Sequence, residues 1–172
     1  MIARLFSVGL VAGMACLSVS AQQTLSDLVK DAKADWMFGQ WEAVTDNGDT
    51  VRLNISWDLD KHVVVLHVKT SEMESKGYSA LDQDAGTVKY ISFDNRGSIG
   101  KGAWAMEAEE LVLRIEVQNS ERGPWKAGIV FTGNAQDGLR VRMHSIADSG
   151  DLAEPARTTF KFKKQAAAAT KK

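Results

Sequence analysis

The sequence predicts an all-β fold: an antiparallel up-and-down β-barrel of about 8–10 strands with a short N-terminal helix. Two observations carry that expectation. From Trp41 onward the chain is a series of short runs in which apolar and polar residues alternate, the period of a sheet with one buried face. Between the runs lie clusters of Asp, Asn and Gly, which accept the positive φ values and side-chain-to-backbone hydrogen bonds of tight reversals. Connections this short cannot carry a parallel crossover, so neighbours in sequence are expected to be antiparallel neighbours in space. A meander with one apolar face buries that face by closing on itself.

Residues 1–21 carry one charge, Arg4, then an apolar stretch from Leu5 to Leu17 and a small-residue end, Val19-Ser20-Ala21. This is the pattern of a secretory signal peptide cleaved after Ala21, and the apolar run falls short of the roughly 20 residues a membrane span takes. A soluble secreted or periplasmic protein of 151 residues would remain from the 172, suited to a single domain. The division expected is signal 1–21, barrel 22–164 and a disordered Ala-rich tail 165–172. Cys16 is the one cysteine, so the mature chain would hold no disulfide or thiolate. Alternatively, Gly13-Met14-Ala15-Cys16 is a lipoprotein processing site and Cys16 the lipidated first residue. Loss of Arg4 leaves 20 basic against 22 acidic side chains, a balance that offers no attraction to nucleic acid or an anionic membrane.

From Thr24 to Trp36 the pattern is helical, with Leu25, Leu28, Val29 and Ala32 on one stripe and Thr24 or Ser26 as cap. Extended runs follow at Trp41–Thr45, Thr50–Trp57, Val63–Thr70, Gly77–Asp82, Thr87–Phe93, Ser98–Met106, Glu110–Gln118, Trp125–Thr132, Leu139–Ile146 and Arg157–Lys163. Within them Val51, Leu53, Ile55 and Trp57 face one way and Arg52, Asn54 and Ser56 the other. Leu139, Val141 and Met143 likewise oppose Arg140, Arg142 and His144, which places His144 on the solvent face. Gly97, Gly100 and Gly102 mark sharp coiling at a strand start.

The segment Trp36-Met37-Phe38-Gly39-Gln40-Trp41, with a helix before it and a meander after it, resembles the lipocalin and wider calycin group, whose first strand opens with Gly-x-Trp. The closest likeness is to a secreted bacterial branch of largely unknown function, through Trp57-Asp58, Phe93-Asp94 and the run from Gly97 to Trp104. The resemblance spans about residues 25 to 163. It implies that Trp41 plugs the closed end of the barrel with a basic residue, Arg157, packed over its indole. Some relatives join the module to a polyketide-cyclase-type domain, for which this chain has no counterpart.

The remaining tryptophans either fill the core or wall a cavity, since a barrel of this size can do both. The candidate ligand-binding set is Trp57, Tyr90, Trp104, Trp125 and Met143. No catalytic set is expected. Gly-x-Ser-x-Gly is absent, Ser145 and His144 are strand neighbours that point apart, and Gly97-x-x-Gly100-x-Gly102 leads into a strand rather than a phosphate-binding helix. His62 and His67 fall on opposite faces of one strand and cannot share a metal, and the carboxylate pairs Asp58/Asp60 and Asp82/Asp84 are turn residues. No metal and no cofactor are expected, with a single haem-ligating histidine, His67 or His144, as the minor alternative. The leading expectation is a small hydrophobic or amphipathic ligand inside the barrel. A solid barrel that binds a protein through its surface, or a cyclase-like enzyme, is the alternative, and the oligomeric state is open.

Overall fold

A computed structural model of the chain describes residues 23–119, 123–134 and 138–166. The signal peptide read over residues 1–21 and nearly all of the tail lie outside them.

Thr24 caps helix α1 (Leu25–Asp31): its hydroxyl accepts from the Asp27 amide while the Asp27 carboxylate reaches back to the Thr24 amide. The helix is shorter than its periodicity suggests because Lys33 takes a positive φ of 50° and a 3-10 turn, Asp35–Met37, follows. So short a helix is held by packing: Leu25 is buried, and the partly buried Val29 and Ala32 pack against the barrel core.

Ten strands follow: β1 (Gly39–Val44), β2 (Thr50–Asp58), β3 (Val63–Lys69), β4 (Glu74–Asp82), β5 (Thr87–Asp94), β6 (Ile99–Glu107), β7 (Glu110–Gln118), β8 (Trp125–Asn134), β9 (Gly138–Ser145) and β10 (Thr158–Lys164). Each pairs antiparallel with its sequence neighbours, and β10 closes on β1 through Trp41↔Lys164 and Glu42↔Lys163, giving a closed up-and-down barrel. Gln165, the first tail residue, still donates its amide to Gln40 at 2.8 Å. All ten predicted runs are strands, but β4 begins three residues before the predicted Gly77. Among the described residues, no helix is long and apolar enough to cross a membrane.

The barrel has two unlike ends. The plug end gathers α1, the 3-10 turn and the start of β1. The mouth end carries the turns after β1, β3, β5, β7 and β9.

One expectation fails on the outer wall. His144 does face outward, on the register of Arg140 and Arg142, yet it is 1% exposed. The segment between β9 and β10 folds back over the wall instead of projecting into solvent. Ile146 bridges Leu152, the Leu152 side chain sits where a Cβ on Gly128 would be, and Arg114 donates to the Gly150 carbonyl at 2.6 Å. His144 Nδ1 lies 3.1 Å from the Ala153 carbonyl of this strap, and the outward-facing pair Val112 and Val130 on the adjoining strands is buried as well. Sequence alternation gives the face of a residue but not what lies on that face.

Candidate functional site

At the plug end the aromatic residues are structural. Trp41 is 1% exposed and its indole N–H donates to the Met37 carbonyl at 2.8 Å, which ties the strand to the turn before it. The cation over its ring is Lys164, with Nζ 5.1 Å from the centroid, and not Arg157. Arg157 is exposed just before β10, seven residues or roughly 20 Å of extended chain away, where its amide bonds to the Met143 carbonyl. Gly39 makes the arrangement possible: it takes φ +131°, and a Cβ there would lie 2.9 Å from the Lys164 side chain. The glycine and tryptophan of Gly-x-Trp thus serve one packing unit. Trp57 stacks on Phe38 with ring centroids 4.8 Å apart, and it lines neither of the two interior cavities among the described residues, where its expected ligand role would place it.

Among the described residues two cavities lie inside the barrel. The smaller, about 240 Å³, sits between α1 and the barrel and is walled by Leu28, Val29, Met37, Val88, Trp104 and Leu111. Trp104 belongs here, its N–H donating to the buried Ser79 hydroxyl at 2.8 Å and its ring 5.1 Å from Phe131. Phe131 in turn borders the second cavity, about 260 Å³, on the mouth side. The Trp104–Phe131 pair therefore stands between the two spaces.

Three of the five candidate ligand residues, Tyr90, Trp125 and Met143, line the mouth-side cavity. Trp125, 42% exposed at the start of β8, forms part of its rim. The wall is asymmetric. Inward positions of β2, β3, β7 and β8 supply Val51, Leu53, Leu66, Leu113, Ile115 and Ile129, and β9 and β10 add Val141 and Phe160. The facing sector, β4 to β6, supplies Ser75, then Tyr90, Ser92 and Asp94, then Gly100, with Gly77 and Gly102 at neighbouring inward positions of β4 and β6. Those glycines are needed. A Cβ on Gly77 would fall 2.1 Å from the Tyr90 hydroxyl and one on Gly100 would fall 2.4 Å from the Ser92 hydroxyl, so the polar side chains lie flat against the wall. At Gly102 a Cβ would meet the Arg114 carbonyl of the adjacent strand at 2.0 Å, so the missing side chain permits close backbone approach.

Burial pushes the Tyr90 phenol upward, with a bond to Ser92 acting the other way, so its hydroxyl stays neutral. Asp94 is held below the ordinary carboxylate range. Partial burial acts to raise it but is outweighed by hydrogen bonds from the amide and hydroxyl of Ser98 and the amide of Arg96. The sequence reading missed Ser75, Ser92 and Asp94. The signal for them was present as small or polar residues at the inward register of three consecutive strands.

No histidine lines either cavity. His67 bonds Glu74 on the outer wall at 2.8 Å, His62 lies before β3 rather than within it, and His144 is under the strap, so the haem alternative has no ligand facing the interior. Among the described residues no group of three or more His, Cys, Asp or Glu side chains is placed to hold a metal ion.

Comparison with protein-family models, with curated proteins and with solved structures finds no match. The closed ten-strand barrel is consistent with the lipocalin and calycin resemblance, which rests on the sequence motif and the architecture.

Proposed function

We propose that this chain is a lipocalin-like, non-enzymatic binding protein that holds a small apolar or amphipathic molecule in the mouth-side cavity. The observation that carries this reading is the cavity itself, about 260 Å³ inside a closed sheet with a largely apolar wall and a few convergent polar groups. A barrel with only a scaffolding role would fill that volume, because interiors otherwise pack to the density of organic crystals. The Gly39 and Trp41 unit at the opposite end supports the family reading. The signal pattern of residues 1–21 supports a place outside the cytoplasm, in the periplasm or medium.

Native mass spectrometry of the mature protein, purified from its own periplasm or medium, tests this. A retained small molecule, lost in Trp125→Ala or Met143→Ala and kept in Trp57→Ala, is the expected result. A clean apo mass, together with no uptake of toluene or octanol by calorimetry, would overturn it.

A second reading has its own observation. Tyr78, Ile91, Phe93 and Ile99 stand on the outer wall at 37–48% exposure, with Tyr78 opposite Ile91 and Phe93 opposite Ile99. A contiguous apolar patch of this kind marks an interaction surface. Self-association in sedimentation velocity that Phe93→Glu abolishes would favour it, and a concentration-independent monomer would count against a second copy as the partner.

A further inference from the structure

The asymmetry of the mouth-side cavity carries information about the ligand. Among the described residues its polar side chains are confined to β4, β5 and the adjoining turns, and no Lys, Arg or His lines it. Several polar atoms are already engaged. Asp94 Oδ1 accepts from the Arg96 and Ser98 amides at 2.9 and 2.8 Å, the Ser98 hydroxyl accepts from Asn119 at 2.7 Å, and the Thr70 hydroxyl accepts from the Met73 amide at 3.0 Å. What faces the space is the Ser75 hydroxyl, the Tyr90 and Ser92 hydroxyl pair and the negative charge of Asp94. The opposite wall is aliphatic and aromatic.

We propose that this cavity selects a small amphiphile whose head donates a hydrogen bond and is neutral or cationic, an alcohol, phenol or amine, and rejects carboxylates of the same length. The inference rests on the mouth-side cavity being the binding site. Three physical points lead to it. An apolar body fits the Leu, Ile, Val and Phe wall. A donor head meets acceptors at Ser75, Ser92 and Asp94 and leaves no buried polar group unpaired. A carboxylate would lose its hydration, find no counter-charge among the described lining residues and lie beside the Asp94 carboxylate, the arrangement that most disfavours the ionised form. Size adds a bound: at about 30 Å³ for each water-sized group, the cavity holds about nine such groups, which matches an eight-carbon chain with a one-atom head.

The test is calorimetric titration of the mature protein at neutral pH with octanol, octylamine and octanoate, with toluene as a headless control. Octanol and octylamine are expected to bind at least about ten-fold tighter than octanoate. Ser92→Ala combined with Tyr90→Phe should weaken octanol several-fold and leave toluene unchanged. Asp94→Asn, which keeps an acceptor oxygen for the turn, should narrow the gap between octanol and octanoate, with an unchanged urea midpoint as the check on folding. Octanoate binding as tightly as octanol while toluene also binds would overturn the head-group assignment and leave the cavity reading standing. Failure of all four compounds to bind would overturn both.

Discussion

The two ends of the barrel use aromatic residues in opposite ways. At the plug end Trp41 is hydrogen bonded and covered by a cation and Trp57 is stacked on Phe38, so both indoles are engaged by the protein itself. At the mouth Trp125 and Tyr90 border open volume, and beside them the wall turns to serine and glycine. An aromatic residue in a β-barrel therefore says little about ligands by itself. The informative signal is where bulky side chains stop, because a cavity exists only where close packing has been given up.

The comparison can be broken most forcefully at the plug. Trp41→Ala is expected to cost about 3–5 kcal/mol, through lost burial and an unfilled space, read as a fall in the urea midpoint. A loss under about 1 kcal/mol would show that the plug does not organise the fold. Gly77→Ala comes next. Its Cβ forces Tyr90 off the wall and into the mouth-side cavity, so binding of toluene or octanol should fall at least about ten-fold, while overpacking costs about 1–3 kcal/mol of stability. Trp125→Ala should do the reverse of Trp41→Ala, weakening binding while leaving stability within about 0.5 kcal/mol, because the ring is 42% exposed at the rim. The smallest effect is expected from Lys164→Ala, about 0.5–1 kcal/mol for the lost cation over Trp41, with binding unchanged.

Acid sensitivity sharpens the contrast. Asp94 at the mouth and Glu107, bonded to Arg114 beneath the strap, are both held below their ordinary carboxylate values. A carboxylate with a depressed folded-state pKa contributes stability that is fully present above its unfolded value, near 4, and is lost as pH falls through the folded value. Unfolding midpoints should therefore hold steady from neutral pH to about 5 and decline below about 4. Asp94→Ala should show a shallower decline than the parent protein. An identical acid limb in both would remove Asp94 from the account.

Much of the fold was legible because the barrel is built from local pairs. Strict alternation in Val51, Leu53 and Ile55 and in Leu111, Leu113 and Ile115 fixes strand and face, and turns such as Asp46-Asn47-Gly48-Asp49 fix the antiparallel connection. What escaped was whatever depends on non-local closure or on the absence of bulk. Lys164 meets Trp41 only because the last strand pairs with the first in one register, which no local pattern sets, so Arg157 was the wrong cation. The burial of His144 depends on the segment after β9 folding back so that Leu152 and Ala153 meet the wall, a non-local contact that alternation within β9 does not encode. The start of β4 was lost for the same reason as the polar wall. Glu74-Ser75-Lys76 has no apolar alternation, because its inward residue, Ser75, faces a cavity rather than a core.

The most direct test of the central claim, that the mouth-side cavity binds and the plug end only holds the barrel together, is a pair of cavity-filling variants measured by the same titration. Val141→Phe fills the mouth-side space and Val88→Phe fills the space beneath α1. Loss of octanol and toluene binding in Val141→Phe, with binding retained in Val88→Phe and both proteins folded, is the predicted result. Full binding in Val141→Phe, or its loss only in Val88→Phe, would contradict the claim.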